Sequence, residues 1–142
     1  MPTSALARKM KFDTAKRAAI INPPEGYLNA LMPFPKDLEL LTELKGKFDW
    51  VQIFVKDKAE FDKTLPKALK AMAPESRIWI SFPKGSSKMQ TDLTRDKGWD
   101  SLKGVDLKFV NLISVTDTWS AFNLRTYKPG EERQNLPWTV DK

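Results

Sequence analysis

The chain has no cysteine and no histidine. These two absences remove disulfides, thiol nucleophiles, thiolate and imidazole zinc sites and imidazole acid–base chemistry. Catalysis near neutral pH would fall to Asp, Glu, Lys, Tyr, Ser or a bound cofactor. An oxygen-preferring cation such as magnesium or manganese stays chemically open. Asp92 and Asp96, four residues apart, would share one helix face and could hold it, but such spacing is common by chance and no metal site is expected. No apolar run approaches the ~20 residues of a membrane-spanning helix. The opening "MPTSALARKMKF" carries basic residues but no apolar stretch with a cleavage pattern, so no secretory signal is read there. The expectation is a cytoplasmic protein with no membrane partner. Also missing are GxGxG, GxGxxG and a phosphate loop ending in Gly-Lys-Ser/Thr, together with internal repeats, linkers and low-complexity tracts.

The 142 residues fit one domain. Hydrophobic residues make up 41% and aromatic residues 11%, enough for a real core. The net charge is +6, from 24 Lys plus Arg against 18 Asp plus Glu. Such an excess attracts anionic ligands. Basic residues recur at Arg8, Lys9, Lys11, Lys16 and Arg17, but no recognition helix or single-strand-binding signature accompanies them, so nucleic acid is not the expected partner.

Residues 1–13 read as a flexible arm, 14–127 as a single α/β domain and 128–142 as an extended tail. "KRAAIIN" (16–22) is a short buried strand closed by Asn and two prolines. Pro24 opens a short helix that places Tyr27, Leu28 and Leu31 on one face, with Pro33 stopping it. "DLELL" (37–41) reads as a brief strand and "WVQIFV" (50–55) as a firmer one. Asp57 and Glu60 form a capping box, followed by Phe61, Leu65, Leu69 and Met72 at helical spacing. Pro66 either bends this helix or falls in the first turn of a second one capped by Thr64. "RIWISF" (77–82) is the next strand. "TDLTRDKGWDSLKG" (91–104) reads as a short irregular helix anchored by Leu93, Trp99 and Leu102. "VDLKFVNLISV" (105–115) and "TWSAFNLRTY" (118–127) form a closing antiparallel hairpin, with Trp119 and Ala121 on one face and Ser120 and Phe122 on the other. Trp79, Trp99 and Trp119 are assigned to the core. Trp138 is the tail's one large anchor, docking on the domain or on a second copy, which would make a homodimer through hairpin and tail.

Strands alternating with helices give a Rossmann-like three-layer α/β sandwich, its mostly parallel sheet ending in a C-terminal antiparallel hairpin. The segments "WISFPKGSSKMQTDLTRDKGW" and "VTDTWSAFNLR" resemble a small family of bacterial proteins classed as a domain of unknown function. The likeness extends upstream through "WVQIFVKDKAEFDKTLPKAL" and covers roughly Lys16 to Arg125. Asn123 stands where that family's pattern carries an arginine. The resemblance brings no established activity, cofactor or active residue. The order of elements is also similar to that of methyltransferase-like Rossmann domains, an analogy of topology alone. Their nucleotide-type cofactor needs a glycine-rich first turn, whereas "NPPEGY" offers one glycine and two prolines that lack amide donors. No cofactor is expected.

Ligands of such sheets collect beyond the carboxyl ends of the strands. Three segments should emerge there: 22–27, 55–58 and 82–95. The third is the richest. Lys84, Ser86, Ser87, Lys88, Thr91 and Arg95 supply charge, hydroxyls and turn amides for an anion. Asp92 is the candidate base. The same residues have plainer uses: Asp92 or Thr91 as a helix cap, Lys84 and Lys88 as solvated loop charges, Asp92 and Arg95 as an ion pair. Two functions follow. One is a binding or regulatory module for a small anionic ligand. The alternative is an enzyme acting on a phosphorylated or carboxylated substrate, with Lys84 and Arg95 as clamps.

Overall fold

The computed structural model describes residues 4–85, 93, 99–102 and 105–132. Among them six strands form one sheet: β1 (Arg17–Ile21), β2 (Glu39–Leu41), β3 (Phe48–Phe54), β4 (Met72–Pro83), β5 (Leu107–Ser114) and β6 (Trp119–Thr126), in the order β2-β1-β3-β4-β6-β5. The first four run parallel, and β6 lies antiparallel between β4 and β5. β4 starts five residues before the expected "RIWISF". Its first residue, Met72, already pairs with Phe48, and the ladder is irregular from there to the pairing of Trp50 with Arg77. Glu75, in the left-handed region at φ 58°, falls within that irregular stretch.

Alternation along the buried strands sends side chains to two faces. Val51, Ile53, Ile78, Ile80, Phe82, Phe122 and Leu124 point to one, where Phe61, Leu65 and Ala68 of helix α2 (Lys58–Lys70) cover them. The expected cap forms, with its return bond shifted by one residue. Asp57 accepts the Glu60 N–H at 2.8 Å, and Glu60 Oε1 accepts the Lys56 N–H at 2.9 Å. α2 runs unbroken through Pro66, whose ring faces solvent, so Thr64 opens no second helix. Leu93, Trp99 and Leu102 complete this layer. Of the helix expected over 91–104, the described residues show a 3-10 turn, Asp100–Leu102. Ser101 donates to Asp62, which also receives Lys58; these two hydrogen bonds hold the Asp62 carboxyl below its usual range.

The opposite face corrects the expectation of a flexible arm. Ser4 caps a short helix α1 (Ala5–Lys9), and a 3-10 turn follows at Phe12–Thr14. Ala7, Met10 and Phe12 are fully buried against Trp50, Trp79 and Ile20. Both indoles donate to one acceptor, the Met10 carbonyl, at 2.8 Å from Trp50 and 3.0 Å from Trp79. A second 3-10 turn, Tyr27–Leu31, lies where the short helix was expected and buries Tyr27 and Leu31 on the same face. The third layer is thus built of short turns held by side chains.

Thr116 Oγ1 accepts the N–H groups of Thr118 and Trp119, closing the β5–β6 hairpin. At the other end of β6, Arg125 meets Glu131 through two hydrogen bonds of 3.0 and 2.8 Å. Lys108 reaches the same carboxylate at 2.7 Å. The start of the tail is therefore tied to the hairpin, while Trp138 lies outside the described residues.

Candidate functional site

β1 has β2 on one side and β3 on the other, so the chain reverses its direction of travel across the sheet at this point. In open parallel sheets such a reversal leaves a crevice beyond the carboxyl ends of the strands. Register fixes which turns share that rim. Ile21 pairs with Ile53, and Phe54 pairs with Ser81, so the turns after β1, β3 and β4 emerge together. β6 runs the other way and brings its amino end, Trp119, opposite Pro83 on the same rim. Asn22, at φ 58°, turns the chain out of β1; Asn adopts this left-handed conformation more readily than most side chains.

A cavity of about 490 Å³ opens there, lined by Asn22, Pro24, Phe54, Lys56, Glu60, Thr118 and Trp119. Its apolar part is built from edge-to-face rings. Phe54 meets Trp119 at 5.1 Å and Tyr27 at 4.8 Å between centroids. Beneath them, Tyr27 donates to Gln52 Oε1 at 2.8 Å and Gln52 Nε2 donates to Ser81 Oγ at 2.9 Å. All three are buried, and this chain gives Gln52 and Ser81 the partners that buried polar groups require.

Burial pushes the Tyr27 phenol well above its usual range, with the Gln52 hydrogen bond acting weakly the other way. The unfolded chain then loses this proton at a lower pH than the native one. Stability contributed by Tyr27 is complete below about pH 10, the ordinary phenol value, and falls as pH rises beyond it. Of the two tyrosines, Tyr27 should give no phenolate absorbance in the folded protein at about pH 11. Its signal is expected to appear only together with unfolding, as followed by parallel absorbance and circular dichroism. Ionisation of Tyr27 in a fully folded chain at that pH would contradict the buried arrangement.

Of the residues proposed from sequence, Lys84 is described and lies on this rim. Its N–H donates to the Thr118 carbonyl at 2.8 Å, and its ammonium donates to Ser114 Oγ at 2.6 Å. Lys9 donates to the Ser114 carbonyl at 3.4 Å. Lys84 thus fastens the exit of β4 to the hairpin. Ser86, Ser87, Lys88, Thr91, Asp92 and Arg95 lie outside the described residues. Thr118 and Trp119 were missing from the sequence-based site, because an antiparallel return strand presents its amino end at this rim and the sequence does not state that pairing. Arg125 pairs with Glu131.

The turn after β1 fits an adenosyl-type cofactor poorly. Pro23 and Pro24 lack the amides that would meet its polar groups, and Gly26 serves as the left-handed entry to the 3-10 turn at φ 79°. A Cβ built on Gly26 meets nothing within 4 Å, so close backbone approach does not require that glycine. Among the described residues no group of three or more acidic side chains could hold a metal ion, and no helix is long and apolar enough to cross a membrane.

No family model and no curated protein matches the chain, so the motif-level resemblance to the uncharacterised bacterial family has no counterpart there. Solved structures do match. The chain is similar to the mitomycin 7-O-methyltransferase MmcR, with 12% identity and a TM-score of 0.58 over 82% of this chain and 50% of that one. It is similar to the N-methyltransferase NodS from Bradyrhizobium japonicum WM9, with 11% identity and a TM-score of 0.56 over 87% and 93%. It is also similar to PigF, solved with SAH, with 9% identity and a TM-score of 0.57 over 86% and 60%. The chain spans half the length of MmcR. At these identities the likeness is one of fold: a three-layer α/β sandwich, mostly parallel with antiparallel strands near its C-terminus, as in methyltransferase-like Rossmann structures.

Proposed function

We propose that the protein is an enzyme acting on a small phosphorylated or carboxylated substrate whose flat apolar part lies in the carboxyl-rim cleft. The observation that carries this reading is the placement of that cleft: it opens where the strand order reverses, with aromatic rings on one side and Lys56 on its lining. Phe54 and Trp119 supply the apolar contact surface and keep water from one side of the ligand. Lys56 supplies positive charge for the anionic group, and Glu60, by accepting the Lys56 N–H, fixes the backbone that carries it. In this reading the loop leaving β4 brings Lys84, Ser86, Ser87, Lys88, Thr91 and Arg95 as further anion contacts, with Asp92 as general base. No step is assigned to an adenosyl cofactor.

The test is calorimetric titration with phenylacetate, phenyl phosphate and S-adenosylmethionine, followed by assignment of the perturbed amide signals by NMR. The aromatic anions are expected to perturb Asn22, Lys56 and Thr118. Lys56→Gln should weaken binding by about tenfold, the value of one charge-assisted contact at a partly solvated site. S-adenosylmethionine is expected to leave these signals unmoved. A perturbation by that cofactor, or unchanged binding of both anions to Lys56→Gln, would reject the reading. The regulatory-module alternative differs in one measurable respect: the bound molecule would be recovered unaltered after prolonged incubation.

A further inference from the structure

At the opposite rim, where the parallel strands begin, a second cavity of about 520 Å³ opens. Ladder pairing builds its cationic wall. Arg77 of β4 stands directly across from Arg125 of β6, with their side chains on the sheet face that carries Trp79 and Asn123. Like charges placed opposite each other in a ladder are destabilising unless an anion joins them. Arg125 has one: its guanidinium is engaged on both sides by Glu131. Arg77 is half-buried, and among the described residues nothing gives its guanidinium a hydrogen bond or an ion pair. Burial, and then the neighbouring Arg125, both push its pKa below the usual value. Two carboxylates line the cavity. Asp49 is committed to the start of β1, accepting the N–H groups of Lys16 and Arg17 at 2.8–3.2 Å, and Glu75 is exposed. Lys11 and Lys128 add two further cations.

We propose that this amino-rim cavity binds a phosphate monoester, with the Arg77 guanidinium as its principal anchor. A planar fork of donors matches phosphate oxygens in a bidentate way that an ammonium cannot. Trp50 and Tyr127 also line the space, and its volume exceeds what inorganic phosphate alone would fill, so the ester carries an apolar or flat organic group. Glu131 holds Arg125 in reserve: a ligand able to compete for that fork would gain a second guanidinium.

Calorimetric titration with inorganic phosphate, phenyl phosphate and succinate at low ionic strength tests the site, together with an NMR map of the wild-type protein that depends on no variant. Phenyl phosphate is expected to bind more tightly than inorganic phosphate and to perturb amides at Ser76, Arg77, Thr126 and Tyr127. Arg77→Gln should weaken phenyl phosphate by about 10- to 100-fold, and Arg77→Lys, which keeps charge but loses the fork, should recover only part of that loss. Glu131→Gln, which weakens the hold on the second fork, should strengthen binding severalfold. Lys63→Gln, on the exposed face of α2, serves as the control. Four outcomes would each overturn the proposal: no saturable binding, equal affinity in Arg77→Gln, perturbations confined to the opposite rim, or succinate bound more tightly than phenyl phosphate. Equal affinity for inorganic and phenyl phosphate would remove the organic group from the assignment.

Discussion

A chain lacking residues 1–12 is expected to lose its cooperative urea transition. Deletion removes the Met10 carbonyl that both Trp50 and Trp79 use as hydrogen-bond acceptor. Each indole N–H left buried without a partner costs about 1–3 kcal/mol. Deletion also removes the Met10 and Phe12 side chains, both fully buried, at about 1.5–3 kcal/mol each. Together these losses reach most of the ~5–15 kcal/mol by which a typical domain is stable. Phe12→Ala isolates one part. Its ring packs edge-to-face on Trp50 at 4.9 Å and on Phe34 at 5.9 Å. A cavity in that position should cost about 3–5 kcal/mol, read as a lower urea midpoint at unchanged slope. A loss under about 1 kcal/mol, the range of ordinary surface changes, would show that the segment does not support the sheet.

The same segment shows where the sequence ceased to be informative. Strands β3 and β4, the hairpin and α2 carry their signals locally: bulky or β-branched runs, alternation, a helix cap and an apolar stripe, whose last member, Met72, opens β4 instead. Their boundaries moved by a few residues and their identity held. The ends of β1, β3 and β4 at Ile21, Phe54 and Pro83 share one rim, as parallel strands require, while most of 82–95 lies outside the described residues. α1 has five residues, too few for periodicity to register and too few to be stable alone. Met10 and Phe12 therefore looked like isolated apolar residues in a basic arm, and only the Trp50 and Trp79 face gives them a place. The Arg77–Arg125 juxtaposition was hidden for a related reason. Arg77 and Arg125 belong to strands far apart in sequence and meet only across the β4–β6 ladder. Which strands pair is decided by packing, and one sequence does not state it.

Trp99→Ala is expected to cost about 3–5 kcal/mol, the range for removing a large buried aromatic. Trp99 is 5% exposed and meets three rings from three elements: Phe61 of α2 at 5.0 Å, Phe82 of β4 at 5.2 Å and Phe122 of β6 at 4.8 Å, all edge-to-face. Each such pair contributes about 0.5–1.5 kcal/mol beyond the area it buries. Trp99→Phe keeps a ring but not its full volume, so the loss should be smaller and the fold retained. That variant also separates the two proposed sites. Trp99 packs on Phe82 near the carboxyl-rim end of β4, whereas no residue lining the amino-rim cavity belongs to its hydrophobic cluster. In Trp99→Phe, phenylacetate binding at the carboxyl rim should therefore weaken while phenyl phosphate binding at Arg77 stays as in the wild type. Equal weakening of both would mean that the aromatic cluster supports the whole sheet and gives no special support to the carboxyl rim.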